Sequence, residues 1–157
     1  MYLNELFKEA PEILIEQISC DSRLPMKNCI FFCMTGVKYD GHDYIKQAID
    51  NGANVIIYTK DIDTSYNAIF IKVKNINITL ANTAKKLFGF DSNLFDLFIT
   101  CGCYGKSSVS SYINQLVNSK EISGSIGAYG INYSDKHLTY PSATLTLLDN
   151  YRYLSDM

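Results

Sequence analysis

The sequence has no long hydrophobic run and no concentration of basic residues. No stretch approaches the roughly 20 apolar residues of a membrane span, and the first residues lack the basic start and apolar core of a signal peptide. The net charge is −2 at pH 7, and no basic stripe reverses it locally. With 47% hydrophobic residues the chain can still build a core. These features predict a globular cytoplasmic protein that has no nucleic-acid partner and no membrane partner.

Residues that bind metals are also scarce. The chain has two histidines, His42 and His137, and its five cysteines are odd in number. No two of those cysteines have the Cys-x-x-Cys spacing of a zinc or redox site. A structural metal site is therefore not expected, and most of the cysteines are predicted to be small buried hydrophobic residues on strands.

What the sequence does have is an alternation of strand and helix patterns. Short apolar runs predict strands, and apolar residues at helical spacing predict helices, one of which ends before Gly52 and another at Gly89. This alternation is typical of the α/β fold class. In this part of the chain the predicted strands are 13–18, 29–34, 55–58 and 68–73, and the predicted helices are 43–51 and 80–88.

A short polar stretch, residues 89–93, predicts a boundary between two domains, 1–89 and 90–157. After it the pattern predicts a strand at 94–100, a helix at 106–118, a glycine-rich strand at 123–129, a polar turn at 132–136 and a helix from about Ser142. A βαβ unit that stops at Met157 has little chance to complete its parallel sheet. We therefore expect this chain to correspond to the N-terminal part of a longer domain arrangement.

One face of the predicted 106–118 helix is apolar. Val109, Tyr112, Ile113 and Leu116 fall at i, i+3, i+4 and i+7. This spacing predicts that the face is buried against a sheet.

The turn between the predicted 94–100 strand and this helix resembles a phosphate-binding loop. Glycines let backbone N–H groups point inward at a helix N-terminus, a lysine reaches the outer phosphates, and a hydroxyl binds Mg²⁺. Gly102, Gly105, Lys106 and Ser107 have these roles, but Thr100 stands where the standard spacing requires a glycine. The alternative is an ordinary strand-to-helix turn with a lysine that faces solvent.

Two polar clusters follow neighbouring predicted strands, at 19–23 and 35–42. Polar loops at the same end of adjacent strands commonly line a ligand crevice in α/β folds. The alternative is local: Asp21 and Asp40 cap turns, and Arg23 pairs with a neighbour. The residues alone leave both interpretations open.

These clusters, in this order and at these distances, together resemble the Mur ligases of peptidoglycan synthesis, and the MurE type in particular. Asp21-Ser22-Arg23 is similar to the family's Asp-Ser-Arg signature, and residues 100–108 stand at its Val-Thr-Gly-Thr-Asn-Gly-Lys-Thr-Thr loop. The other similar segments are Phe31 to Gly36, Asp40-Gly41-His42-Asp43-Tyr44-Ile45, Gln47-Ala48-Ile49, Gly52-Ala53, Gly124-Ser125-Ile126-Gly127 and Leu138-Thr139-Tyr140-Pro141.

The resemblance implies an N-terminal domain (1–89) that binds a UDP-N-acetylmuramoyl-peptide, followed by an incomplete central ATP-binding domain (90–157). MurE-type enzymes use ATP and Mg²⁺ to add the third amino acid to UDP-N-acetylmuramoyl-L-alanyl-D-glutamate. By position, the residues implied for the UDP substrate are Ser22, Arg23, Val37, Lys38, Tyr39, Thr139 and Tyr140. Those implied for ATP are Gly102, Cys103, Tyr104, Gly105, Lys106, Ser107 and Ser108, with Ser107 as the Mg²⁺ ligand.

The chain also departs from the family pattern. Cys103 and Tyr104 replace the Thr and Asn between the loop glycines, and Tyr140 replaces the second Thr of a substrate-binding pair. We expect weak ATP binding at most, no ligation by this chain alone, and self-association through the incomplete central sheet. The alternatives are a non-catalytic UDP-sugar-peptide binding or interaction module with a remnant loop, and a complete small phosphotransferase. The latter is disfavoured because no carboxylate ends a hydrophobic strand after residue 108.

Overall fold

A computed structural model describes residues 1–91, 93–94, 96–140 and 145–157. The chain divides into two compact units, Met1–Leu87 and Phe88–Met157. A parallel sheet with helices in the first unit confirms the predicted α/β class. Within the described residues, no helix combines the length and the apolar character needed to cross a bilayer.

The first unit is built on a four-stranded, fully parallel sheet of order β1-β2-β3-β4. The strands are β1 (Gln17–Ser19), β2 (Cys29–Phe32), β3 (Ala53–Tyr58) and β4 (Ile69–Lys72). The helices are α1 (Leu3–Leu6), a 3₁₀ turn (Gly41–Tyr44) that leads into α2 (Ile45–Asp50), and α3 (Ile76–Leu87).

The central strands of this sheet explain why their sequences are apolar without alternation. All four residues of β2 are buried, and Val55, Ile56 and Ile57 of β3 are fully buried. Parallel strands covered on both faces need apolar side chains at every position. Leu80 and Ala84 of α3 are buried as well, so α3 contributes to the core of the first unit.

Gly52 is required where α2 turns into β3. Its φ is +102°, and a Cβ built there would lie 2.2 Å from the carbonyl oxygen of Met26. A side chain would therefore be both strained and in collision with the backbone. The close approach lets the 24–28 segment pass directly beside the end of α2, where Met26 N–H donates to the carbonyl of Asn51 at 2.8 Å.

The second unit has a different architecture. Helix α4 (Lys106–Asn118) is followed by a three-stranded antiparallel meander and then by α5 (Leu147–Asp156). The meander consists of β5 (Gly124–Gly127), β6 (Gly130–Tyr133) and β7 (Lys136–Leu138). The predicted polar turn is shorter than 132–136, because Asn132 and Lys136 belong to strands. The predicted start of the last helix, residues 142–144, lies outside the described residues, and α5 itself begins at Leu147.

The predicted strand at 94–100 is wrong for the residues that the structure describes there. Leu94 and 96–100 belong to no strand, and Leu94, Phe98 and Ile99 are 79%, 68% and 76% exposed. A strand needs a hydrogen-bonded neighbour, and no ladder among the described residues includes this segment. This apolar segment would form a buried strand only if a neighbouring strand of a sheet were hydrogen-bonded to it.

The predicted burial of the apolar face of α4 is also wrong. Val109, Tyr112 and Leu116 are 49%, 66% and 72% exposed, and none of the described residues of α4 is buried. Its serine and asparagine face lies toward the meander instead, where Ser123 Oγ lies 2.8 Å from Asn114 Oδ1. The helix forms where predicted, but the described residues of the second unit include no parallel sheet that could cover its apolar face.

Two smaller expectations need correction. Only Cys29 and Cys33 are buried, whereas Cys20, Cys101 and Cys103 are exposed, so most of the cysteines are not core residues. The predicted 13–18 strand is shorter in the structure, because β1 begins at Gln17 and Leu14 makes only an isolated bridge with Tyr2.

Candidate nucleotide-binding loops

The loop after β1 holds Ser22 inside and Arg23 outside. Ser22 is buried, and its hydroxyl donates to Gln47 Oε1 at 2.8 Å. The Asn51 side chain donates to the Ser22 carbonyl at 2.7 Å, so α2 fixes the loop at two points. Arg23 points into solvent, where its side chain is 79% exposed.

Arg23 is paired with a carboxylate in its own loop. Its Nε and Nη2 donate to the two carboxylate oxygens of Asp21 at 2.8 and 2.7 Å, a bidentate arrangement. This contact raises the pKa of Arg23 and lowers that of Asp21, and Tyr39 of the next loop also acts on the Arg23 pKa. The local pairing of Arg23, one of the two interpretations that the residues alone left open, is thus present.

The loop after β2 is a tight turn that presents three side chains to solvent. Gly36 N–H donates to the Tyr39 carbonyl at 2.9 Å, and Thr35 and Asp40 pair across the base of the turn. Val37 and Tyr39 are 105% and 71% exposed, and Lys38 is exposed too. Because parallel strands end at one sheet edge, this loop and the 19–23 loop emerge side by side from β1 and β2.

Asp40 ties this turn to the end of β3. Its carboxylate accepts from the His42 backbone N–H at 3.1 Å, as the cap of the 3₁₀ turn, and it also pairs with Lys60. His42 Nε2 lies 3.2 Å from the Thr59 backbone N–H, which makes it the acceptor and leaves Nδ1–H to donate to Asp40 Oδ1 at 2.5 Å. Lys60 and His42 together hold the pKa of Asp40 well below its usual range.

The sequence reasoning missed several residues that position these loops. Lys60 and Thr59 follow β3 at the same sheet edge as the two predicted loops, Gln47 lies on α2, and Asn51 is the C-cap of α2. Lys60 could have been found by the rule that predicted the loops, since it comes directly after a buried parallel strand. The contacts of Gln47 and Asn51 depend on the packing of α2 and have no signal of their own in the sequence.

In the second unit, residues 101–105 form the loop that leads into α4. Gly102 and Gly105 have φ values of +146° and +76°, in the region that favours glycine. Lys106, the first residue of α4, donates from Nζ to the Gly102 carbonyl at 2.7 Å and lies 3.5 Å from that of Cys103. The lysine therefore folds back over the loop.

The residues of this loop fit a phosphate group. Gly105 is the N-cap of α4 and supplies no side-chain cap, so the first backbone N–H groups of the helix can bind an anion. Tyr104 is 95% exposed, so its ring lies in solvent and does not fill the loop. Lys106 must leave the Gly102 carbonyl to reach a phosphate.

Ser107 borders a polar groove between α4 and the β5–β6 hairpin. The groove has a volume of about 210 Å³, and its lining side chains are uncharged. It is lined by Ser107, Ser110, Ser111, Asn114, Gln115, Ser125, Gly127, Tyr129, Gly130 and Asn132. Ser108, also on α4, is exposed.

Thr139 and Tyr140 follow β7. Thr139 is exposed, whereas the Tyr140 hydroxyl donates to Asp149 Oδ2 at 2.6 Å, a contact that raises the Tyr140 pKa. Thr146, the N-cap of α5, donates to the same carboxylate oxygen at 2.5 Å. The structure thus brings Ser22, Arg23 and 37–39 to one sheet edge of the first unit, and 102–107 to the start of α4 in the second.

Comparison with known proteins identifies the class. A family model described as "Mur ligase family, catalytic domain" matches residues 14–87. A solved UDP-N-acetylmuramoyl-L-alanyl-D-glutamate–2,6-diaminopimelate ligase has a TM-score of 0.71 at 17% identity, covering 99% of this chain and 33% of that one. The MurF ligase of Thermotoga maritima, solved in complex with ADP, has a TM-score of 0.50 at 25% identity, covering 67% and 24%. The chain is therefore similar to Mur ligases in sequence and in fold.

Within that family the sequence relatives are of the MurE type. The UDP-N-acetylmuramoyl-L-alanyl-D-glutamate–2,6-diaminopimelate ligase 2 of Clostridium acetobutylicum is 33% identical over 136 residues, which are 85% of this chain and 28% of the relative. The match lies in the N-terminal part of these enzymes, which confirms the resemblance stated from the motifs. This chain thus corresponds to less than a third of that relative's length.

Proposed function

We propose that this chain supplies the uridine-nucleotide substrate site and the first part of the ATP site of a MurE-type ligase. In this proposal residues 1–89 bind a UDP-N-acetylmuramoyl-peptide, and 90–157 begin the ATP-binding domain. Support comes from the activity of the relatives, which are UDP-N-acetylmuramoyl-L-alanyl-D-glutamate–2,6-diaminopimelate ligases, and from the geometry of the loops.

The observation that carries the substrate proposal is the pair of loops at the carboxyl edge of β1 and β2. Gln47 and Asn51 anchor the loop after β1 through their hydrogen bonds to Ser22, and the Asp40–His42 contact anchors the loop after β2. Their exposed side chains include two cations, Arg23 and Lys38, and the Tyr39 ring. Cations suit a diphosphate and an aromatic ring suits a base, so the loops offer both parts of a nucleotide a partner.

For ATP, the proposed residues are those of the loop before α4. Lys106 would hold the phosphates, the Ser107 hydroxyl would ligate Mg²⁺, and Gly102 and Gly105 would shape the backbone around them. Bound ATP would supply the phosphoryl group that activates a substrate carboxylate for amide formation. The chain's own contribution is a fixed positive charge at the loop and a helix N-terminus that favours an anion.

Calorimetric titration of the whole chain with UDP-N-acetylmuramoyl-L-alanyl-D-glutamate and, separately, with Mg-ATP tests both halves. Binding of both supports the ligase assignment, with ATP the weaker ligand. Binding of neither would overturn the site residues. We also propose that the chain binds without ligating, so amide formation by these 157 residues alone would contradict that part.

A non-catalytic UDP-sugar-peptide binding module is the second candidate. It is favoured by the contrast between a well-packed first unit and a second unit in which α4 buries no described residue. Binding of the UDP substrate without Mg-ATP in the titration would support this candidate.

Variants in each loop test which ligand that loop binds. Tyr39→Ala should lower the affinity for the UDP substrate about tenfold and leave the affinity for ATP unchanged. Lys106→Ala should abolish ATP binding and leave the affinity for the UDP substrate unchanged. Lys120→Ala, at another exposed lysine, is the control. Cys103→Thr combined with Tyr104→Asn should strengthen ATP binding, and no gain would mean that these two residues do not limit it.

A further inference from the structure

The loop before α4 carries two exposed thiols, Cys101 and Cys103, separated only by Gly102. The buried thiols of the chain are different. Burial raises the pKa of Cys29 and of Cys33 to about 12, which leaves them protonated and unreactive at neutral pH. Thiol chemistry in this chain is therefore directed to its exposed cysteines, and two of them lie in the proposed phosphate loop.

The backbone lets these two thiols meet. A disulfide needs Cα atoms within about 7 Å of one another, and two trans peptide units span roughly that distance when extended. Gly102, which separates the two cysteines, lies at the start of a bend that runs to Gly105. A Cβ at Gly102 would have only the Tyr104 carbonyl oxygen within 4 Å, at 3.8 Å, so no packed neighbour opposes an adjustment of the loop.

Lys106 depends on the same three residues. Its Nζ donates to the Gly102 carbonyl at 2.7 Å and lies 3.5 Å from that of Cys103. A bond between the two sulfur atoms would enclose the Gly102 peptide units in a small ring and re-aim these carbonyls. The contacts of the lysine would then change with the oxidation state of the thiols.

We propose that Cys101 and Cys103 form a reversible disulfide and that its closure releases Lys106 from the Gly102 carbonyl, a redox switch in the loop before α4. Its effect on nucleotide binding rests on the proposed ATP site, but disulfide formation does not. Because the ring is small and exposed, we expect an easily reduced disulfide rather than a structural one.

The oxidant is a low-molecular-weight disulfide such as oxidised glutathione. One cysteine thiolate attacks a sulfur of the small disulfide, which breaks that S–S bond and releases one thiolate. The second cysteine thiolate then attacks the mixed disulfide, forms the Cys101–Cys103 bond and releases the other thiolate. Two protein thiols are oxidised and one small disulfide is reduced to two thiols, which take up the two protons that the protein thiols lose.

The test equilibrates the whole chain in glutathione buffers of increasing oxidised fraction, alkylates the remaining thiols after denaturation, and maps the tags by mass spectrometry. Trypsin cleavage after Lys86 and Lys106 gives a peptide, 87–106, whose cysteines are Cys101 and Cys103 only. This peptide should lose both tags together without gaining glutathione. A glutathione adduct on each sulfur, or two tags retained in every buffer, would overturn the proposal.

Single variants serve as matched controls. Cys101→Ser and Cys103→Ser should each gain one glutathione in place of the internal bond. Cys20→Ser, which removes an exposed thiol from the first unit, should leave the oxidation of peptide 87–106 unchanged. If Cys20→Ser changed the fraction of peptide 87–106 that is oxidised in each buffer, Cys20 would be a disulfide partner of Cys101 or Cys103. That result would refute the Cys101–Cys103 pairing.

Amine labelling tests the lysine independently of any nucleotide. The acetylation rate of Lys106 should rise several-fold on oxidation, while that of exposed Lys120 stays constant; an unchanged Lys106 rate would refute the switch. Mg-ATP titration of both forms then compares affinities, with about a tenfold difference expected. If the reduced chain binds no ATP, the proposed function fails at this site, and the labelling result still decides the redox proposal.

Discussion

Helices α3 and α4 have comparable amphipathic sequences but different surroundings. Leu80, Thr83 and Ala84 of α3 are buried, and α3 belongs to the unit with the four-stranded parallel sheet. The apolar face of α4, with Tyr112 and Leu116, is mostly exposed. The contrast teaches that an apolar stripe predicts a helix but not its burial, because burial depends on a second surface of matching shape.

The largest test of this contrast uses two phenylalanines. Phe31 in β2 is 1% exposed and Phe98 is 68% exposed. Phe31→Ala should lower the free energy of unfolding by about 4 kcal/mol, since it removes a buried ring and leaves a cavity. Phe98→Ala should change it by less than about 0.5 kcal/mol. Urea unfolding followed by circular dichroism measures both, and equal losses would mean that the 96–100 segment is packed after all.

The next largest difference in unfolding free energy is expected between alanine variants of two glycines with positive φ, Gly52 and Gly105. Gly52→Ala brings its Cβ to 2.2 Å from the Met26 carbonyl oxygen, whereas a Cβ at Gly105 meets nothing within 4 Å. We expect a loss of about 3 kcal/mol for Gly52→Ala from strain and collision. Gly105→Ala should cost only about 1 kcal/mol, the strain of a left-handed alanine. The same urea experiment applies, and a Gly105 variant as damaging as the Gly52 variant would contradict the open loop.

A smaller effect depends on pH. The pKa of Asp40 is lowered by Lys60 and His42 from an ordinary value of 3.8, so its contribution to stability is fully present above that value. The contribution declines as the pH falls below 3.8 and toward the lower folded pKa. Asp40→Asn should cost about 1–2 kcal/mol at pH 7 and flatten the acid decline of the unfolding free energy.

Asp61 provides the matched control for Asp40. It also pairs with a lysine, Lys72, but its side chain is 98% exposed. Asp61→Asn should therefore leave the stability nearly unchanged, because water screens an exposed pair. If the two asparagine variants behave alike from pH 7 to pH 2, the Asp40 contacts do not stabilise the first unit.

The smallest effect on stability is expected at the exposed face of α4. Leu116→Gln should change the free energy of unfolding by less than about 0.5 kcal/mol, yet it should reduce self-association if that face joins two chains. Sedimentation velocity at several concentrations measures the association. Asn118→Gln, at the exposed end of the same helix, is the control. A chain that stays monomeric at all concentrations would refute the predicted self-association.

The α/β class, the strand–helix order from β1 to α3 and the start of α4 could be predicted from the sequence, whereas α1 was not predicted. Continuous apolar runs with glycine stops specify these features locally, and several motifs in register were specific enough to identify the Mur ligase relatives before any fold was known. The same local rules predicted that polar loops would follow β1 and β2.

Which contacts those residues make depends on how the chain packs in three dimensions. The pairing of Ser22 with Gln47, the Asp40–His42–Lys60 cluster and the return of Lys106 to the Gly102 carbonyl all join residues whose relation depends on how the chain packs. The exposure of the 96–100 segment and of the apolar face of α4 also depends on this packing. Hydrophobic burial and hydrogen bonding both need partner groups, and local sequence patterns do not specify which groups those are.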